Sequence, residues 1–166
     1  GLLNFAKPME PRPAPVEINS ILSDVVDVLR PRFTAAGVSP QLDLDRSLPA
    51  VQLDANHVEQ IFMGLVTNAL EATPNGGRVT IRTNTIRDNG TATRVNVSIE
   101  DTGEGIPVES RERIFSPFFT TKPDGTGIGL SLTKKFVERN GGKITVSDSI
   151  AGGAKFDVTF PLGGSN

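Results

Sequence analysis

Apolar residues along this chain switch between two periods, and the switches mark out its elements. Ile21, Val25, Val28, Leu29 and Phe33 recur at helical spacing, which predicts one buried stripe on a helix from about Ser20 to Ala36. Asn19 suits its N-cap and Gly37 its C-terminal stop. Pro31 should bend or interrupt it. Pro40, Leu42 and Leu44 alternate with polar residues, the pattern of a half-exposed strand ending near Asp45. Residues 47–53 read as a connecting loop. Val58, Ile61, Phe62, Leu65, Ala69 and Ala72 form the stripe of a second helix, about Ala55 to Thr73, capped by Asp54. Alternation returns in Val79, Ile81 and Thr83, and again in Val95, Val97 and Ile99. Asp88-Asn89-Gly90 between them has the composition of a hairpin turn, so 78–85 and 94–100 should pair. Leu130, Leu132, Phe136 and Val137 mark a third helix, starting at Thr126 or Gly127 and stopping near Asn140-Gly141-Gly142. Lys143 to Ser147 and Lys155 to Phe160 read as a final strand pair joined by 150–153.

Three helices and about five strands, mostly hairpin-linked and not in strict alternation, predict an α+β fold. The expected form is a two-layer α/β sandwich, with a mixed, mostly antiparallel sheet and the three main helices on one face. A doubly wound parallel sheet fits poorly, because the glycine clusters lack the Rossmann pattern and spacing. No Gly-x-x-x-x-Gly-Lys-Ser/Thr occurs, so this is not a P-loop protein. Residues 1–15 read as a leader: Leu2, Leu3 and Phe5 fit the tail of a helix, and Pro8, Pro11, Pro13 and Pro15 favour an extended linker. Residues 16–161 read as one domain and 162–166 as a tail.

Composition narrows the class. The 166 residues are enough for a single domain with a sizeable core. With no Trp and no Tyr, nine Phe supply all the aromatic packing. A net charge of -2 argues against a general nucleic-acid binder. No apolar run approaches the roughly 20 residues of a membrane span, and no signal peptide is expected. A cytoplasmic domain without membrane contact is expected. The absence of Cys removes disulfides and thiolate metal sites.

The chemistry is concentrated between Asp101 and Leu130. Asp101-Thr102-Gly103-Glu104-Gly105-Ile106-Pro107 follows the strand 94–100, and Gly125-Thr126-Gly127-Ile128-Gly129-Leu130 opens the third helix. A glycine turn that opens a helix places bare N–H groups where an anion can dock, aided by the helix dipole. Between the clusters lie Phe115, Pro117, Phe118 and Phe119, then Thr120-Thr121-Lys122. One glycine cluster alone is more often a plain turn. Two at this spacing read as a nucleotide site, with the aromatic segment anchoring a lid.

Asn68 lies on or beside the stripe of the second helix. A buried amide without a partner costs about 1–3 kcal/mol, and two readings justify it. It is a core Asn bonded to neighbouring backbone, or its amide oxygen is aimed at a magnesium ion, which prefers oxygen ligands and arrives with phosphates. Lys122 likewise reads as a solvated lysine or as the counter-charge to terminal phosphates. His57, the single histidine, falls in the first turn of the second helix and reads as a surface residue.

Together these motifs resemble the ATP-binding catalytic domain of sensor histidine kinases. That domain belongs to the wider family shared by gyrase, the heat-shock chaperone ATPases and MutL-type mismatch repair proteins, whose fold is of the Bergerat type. The resemblance runs from about Val16 to Pro161, and Thr120-Thr121-Lys122 is the form seen in nitrogen-regulation-type kinases. It implies that Asp101 accepts a hydrogen bond from the adenine amine, with Gly103, Gly105 and Ile106 beside the base. A carboxylate there would reject the keto group of guanine. The resemblance further implies that Asn68, in Asn68-Ala69-Leu70-Glu71-Ala72, ligates magnesium with Ala72 at the nucleotide. Thr121, Lys122, Gly125, Thr126, Gly127, Ile128, Gly129 and Leu130 would cover the phosphates, and Asn68 and Lys122 would be the catalytic residues.

The implied cofactors are ATP and Mg2+. The implied function is donation of the γ-phosphate to a histidine on a separate dimerisation domain, with a response regulator downstream and the isolated domain a monomer. Gly64 departs from the pattern. Kinases commonly carry a second Asn there and the hydrolytic relatives a Glu; Gly64 can do neither job and leaves no base to activate water. His57 lacks the His-Glu/Asp-x-x-Asn/Thr-Pro context of a phosphoacceptor, so a fragment with its acceptor elsewhere is expected. Two other functions stay open: a non-catalytic nucleotide-binding module, which Gly64 favours, and a self-sufficient gyrase- or chaperone-type ATPase, which the missing Glu opposes. Gly152-Gly153-Ala154 loosely match a last glycine motif and read as structural.

Overall fold

The computed structural model describes residues 9–117 and 129–163. Strand β1 (Ala14–Val16) leads into helix α1 (Ile18–Ala36), then β2 (Ser39–Asp43), β3 (Val51–Leu53) and helix α2 (Ala55–Ala72). The hairpin β4 (Arg78–Asp88) and β5 (Thr91–Asp101) follows, then short 3-10 turns at Val108–Ser110 and Arg113–Phe115. Helix α3 (Gly129–Arg139) and the pair β6 (Lys143–Asp148) and β7 (Ala154–Pro161) complete the described elements. One sheet has the order β2-β4-β5-β7-β6. Its β2–β4 pair is parallel and its other pairs are antiparallel. With the helices on one face, this is the expected α+β sandwich of Bergerat type. No helix among the described residues is long and apolar enough to cross a membrane.

Alternation explains the two faces of the sheet. Ile81, Ile99 and Phe156 stand side by side in register across β4, β5 and β7, all buried. Leu22, Val25 and Phe33 of α1 and Ile61, Phe62 and Leu65 of α2 are buried in the same core. The opposite face is polar: Ser98 Oγ and Asn96 Nδ2 both donate to Asp157 Oδ1, at 2.6 and 3.0 Å. At the hairpin, Asn89 and Gly90 both have positive φ (52° and 81°), as a two-residue type I′ connection requires. Its strands are longer than expected, reaching Asp88 and starting again at Thr91.

Several local expectations are corrected. The N-cap of α1 is Glu17, which makes no side-chain cap, rather than Asn19. Asn19 turns inward instead: its Nδ2 donates to the Asp45 carbonyl (2.8 Å) and its Oδ1 accepts from Thr83 Oγ1 (3.0 Å). The stripe of α1 takes in Ile18, Leu22 and Val26, while Val28 is 63% exposed. The helix runs unbroken through Pro31, which lies on its exposed side. The loop expected over 47–53 ends in β3, which pairs antiparallel with β1 as Ala14↔Leu53 and Val16↔Val51. Ala72, assigned to the α2 stripe, is exposed, and Leu70 is the last buried apolar residue of that helix. In α3, Leu132 is exposed while Ser131 and Thr133 are buried. The expected start of that helix at Thr126 or Gly127 lies outside the described residues.

His57 is not a surface residue: it is 4% exposed. Asn140 Oδ1 accepts from the Asp54 N–H (2.9 Å), which orients its amide so that Nδ2 faces His57 Nδ1 (3.0 Å) and the Phe136 carbonyl (2.8 Å). That amide orientation places His57 Nδ1 as the acceptor, and Nε2 faces Asp54 Oδ2 at 3.8 Å. The Phe136 ring covers the imidazole at 4.5 Å between centroids. Burial acts to raise the Asp54 pKa, but N–H groups of Arg12 and His57 and the neighbouring imidazole hold it below its ordinary value. This cluster joins the incoming chain to the start of α2 and the end of α3.

Candidate functional site

Strand β5 carries its alternation one residue past Glu100 and delivers Asp101 to the helix side of the sheet, only 2% exposed. Its Oδ1 accepts from the Gly103 N–H (2.9 Å) and the Ala154 N–H (3.2 Å). No hydrogen bond from the described residues reaches Oδ2. No fully buried side-chain oxygen of the described residues lacks a partner, so Oδ2, which has none among them, keeps a trace of exposure and is the oxygen of this carboxyl open to a further partner. Burial pushes the Asp101 pKa up, and the two backbone N–H groups only partly oppose it.

Two glycines make this seat possible. A Cβ at Gly103 would stand 2.2 Å from the Ala72 carbonyl oxygen, and one at Gly153 would stand 2.2 Å from Asp101 Oδ1. Neither position admits a side chain without backbone movement. Gly153, read from the sequence as structural, therefore touches the candidate site directly. Thr102 Oγ1 accepts from the Arg78 N–H (3.1 Å), and Arg111 Nε donates to the Ile106 carbonyl (3.1 Å) while pairing with Asp148. Those bonds pin the turn at both ends. Arg111, Asp148 and residues 104–108 line a cleft of about 340 Å³. Arg111 carries no motif signal; its place comes from one local contact, with the Ile106 carbonyl, and one distant in sequence, with Asp148.

Gly64, Asn68 and Ala72 recur every fourth residue of α2 and form one row. At one end, a Cβ on Gly64 would lie 3.0 Å from Thr133 Oγ1 of α3; at the other, the Ala72 carbonyl meets Gly103. Asn68 stands half-buried between them. Thr133 Oγ1 donates to the Gly129 carbonyl (2.9 Å), in the first turn of α3 beside Leu130. The row thus runs from the Asp101 turn to the start of α3. It brings Asn68, Ala72, Asp101 and Gly103 along one side of α2, with Gly105 and Ile106 in the same turn as Asp101. Phe115 packs edge-on against Phe156 (6.2 Å) under the Lys134 ammonium. Phe118, Phe119, Thr121, Lys122, Gly125, Thr126, Gly127 and Ile128 lie outside the described residues.

Residues 53–164 match the family of histidine kinase-, DNA gyrase B- and HSP90-like ATPases. The chain belongs to that family. Within this ATPase family its likeness is to sensor histidine kinases. It is 34% identical over 172 residues to the sensor kinase CckA of Brucella abortus, covering 96% of this chain and 18% of that protein. The catalytic domain of histidine kinase ThkA superposes with a TM-score of 0.81 at 32% identity, covering 90% of this chain and 95% of that one. Full-length ShkA, solved in complex with AMPPNP, superposes with a TM-score of 0.79 at 30% identity, covering 93% and 32%. The chain spans between 18% and 37% of the length of the curated relatives it matches.

Proposed function

We propose that this chain binds ATP with magnesium and presents the γ-phosphate to a histidine on a separate dimerisation domain of a two-component sensor kinase. The observation that carries this reading is the Asp101 carboxyl, with Oδ1 held by two backbone N–H groups and Oδ2 left without a partner among the described residues, beside a glycine-backed turn. One fixed acceptor there suits the exocyclic amine of adenine and opposes the keto oxygen of guanine. Gly103, Gly105 and Ile106 would back the base, with Ala72 at its edge. Asn68 would hold magnesium through its amide oxygen. Magnesium, when bound, supplies charge neutralisation for the phosphates. Thr121, Lys122 and the backbone of 125–130 would hold the phosphate oxygens. In such an arrangement, positioning and charge would do the catalysis.

Two features favour transfer over hydrolysis and a separate acceptor. Gly64 supplies no base for water. The sequence has one histidine, and His57 is buried against Phe136 and bonded to Asn140, so it is no phosphoacceptor. The ShkA complex with AMPPNP supports a nucleotide for this chain. A structure of ThkA with the response regulator TrrA, which this chain matches at 28% identity and a TM-score of 0.79, supports a regulator downstream. Residues 16–161 would then form the ATP-binding unit, monomeric when isolated and acting in the cytoplasm, where ATP is available.

In the kinase that carries this chain, label from γ-labelled ATP should appear on an acid-labile phosphohistidine. Asn68→Ala should lower that labelling at least about tenfold. Bound nucleotide with no histidine label would favour the non-catalytic module instead. Steady phosphate release without histidine label would favour the ATPase.

A further inference from the structure

We infer that Glu100 and Ser149 are positioning residues for nucleotide recognition: from the polar face of the sheet they fix the turn that seats Asp101. This rests on Asp101 being the adenine acceptor. Successive residues of a strand point to opposite faces, so Glu100 and Asp101 are adjacent carboxylates with separate surroundings. The Glu100 side chain is 12% exposed, and its Oε1 pairs with the Arg82 guanidinium. Arg82 also reaches Asp43 Oδ2 on the edge strand (3.2 Å). Lys155, opposite Glu100 in register, pairs with Asp157 instead. The remaining oxygen of Glu100, Oε2, accepts from Ser149 Oγ (2.8 Å).

Ser149 is buried at the end of β6 and uses all of its polar atoms on the turn it opens. Its hydroxyl has one proton, and Glu100 takes it. That leaves the hydroxyl oxygen to accept from the Ala151 N–H (3.0 Å). Its own N–H donates to the Gly153 carbonyl (2.7 Å), and its carbonyl accepts from the Gly152 N–H (3.0 Å). Ile150, at the tip, is fully exposed and adds nothing to the core. Hydrogen bonds, rather than packing, therefore set the conformation of this turn. The turn returns as Gly153, lying against Asp101 with no room for a Cβ, and as Ala154, whose N–H is the second donor to Asp101 Oδ1. Arg82, Glu100, Ser149, Gly153 and Asp101 thus form one contiguous chain of contacts through the sheet. Loosening Ser149 frees Ala154, and Asp101 Oδ2 then loses its fixed direction.

The test uses Ser149→Ala and Glu100→Ala, with Glu100→Gln as the variant that keeps an acceptor for the hydroxyl. Amide hydrogen exchange at Ala154 is read without nucleotide, and affinities are measured for non-hydrolysable ATP and GTP analogues. Ser149→Ala and Glu100→Ala should each speed Ala154 exchange about fivefold and narrow the preference for adenine about fivefold. Glu100→Gln should stay within about twofold of the native chain on both readouts. Unchanged Ala154 exchange in both alanine variants overturns the inference. So does an equal loss of affinity for both nucleotides, which marks a merely structural role. A native chain that bound neither nucleotide would sink the reading of Asp101 as adenine acceptor and this recognition role with it. Ala154 exchange would still show separately whether Ser149 holds the turn.

Discussion

Replacing Asp101 by Asn is expected to weaken binding of an ATP analogue about 100-fold while leaving the melting temperature at neutral pH unchanged or higher. The Asn carbonyl oxygen can take the place of Oδ1 and keep the bonds from Gly103 and Ala154. On the proposed assignment its NH2 group would replace Oδ2 and face the adenine amine, donor against donor. A hydrogen bond to a charged group contributes about 1.5–3 kcal/mol, and an unpaired buried donor costs about 1–3 kcal/mol, so a combined loss near 3 kcal/mol is reasonable. The stability side has the opposite sign. Burial raises the Asp101 pKa in the fold, so ionising this group costs the folded state. That cost is absent below the unfolded value of about 3.9 and is complete once the pH has passed the raised folded value. Asn carries no such cost. For the same reason, nucleotide affinity of the native chain should fall on acidification at a higher pH than an ordinary Asp would give. Thermal melts and calorimetric titrations of both proteins check this; a destabilised Asn variant that still bound nucleotide would contradict it.

Gly153→Ala is expected to lose nucleotide binding and about 3 kcal/mol of stability together. The new Cβ would meet Asp101 Oδ1 at 2.2 Å, the Asp101 carbonyl oxygen at 2.3 Å and the Gly103 nitrogen at 2.7 Å. None of these is the far end of a flexible side chain. Two are backbone atoms, and the third is a carboxyl oxygen held by two N–H groups. Relief requires moving the end of β5 or the turn after it, and either movement displaces Asp101. Denaturant unfolding and analogue titration read the two effects. A variant with native stability and native affinity would show that the turn gives way more easily than its contacts indicate.

What the sequence made legible was whatever is written locally. The stripe Val25, Leu29 and Phe33, the alternation through Val95, Val97 and Ile99 and the Asn89-Gly90 turn each fit within one element and emerge as read. Asp101 and Gly103 were legible for the same reason, since their signal is a short spacing at a strand end. The failures share another physical cause. Asn19 has a good cap side chain, but Asp45 and Thr83, far away in sequence, supply a better pair of bonds. His57 looked solvated because its partner Asn140 lies at the end of another helix. β1 and β3 are each three residues long, too short for any period to emerge. At the site, the contact of Gly153 with Asp101 crosses two strands, and the bond from Ser149 to Glu100 gives a charged strand residue a role its neighbours in sequence do not announce.

The most direct test of the nucleotide reading is calorimetric titration of the folded native chain with a non-hydrolysable ATP analogue, with and without magnesium. The geometry of Asp101 and the placement of Asn68 predict binding that magnesium strengthens and that a GTP analogue does not reproduce. A folded chain that takes up no nucleotide, or that binds both analogues equally and without regard to magnesium, would contradict the assignment of both residues.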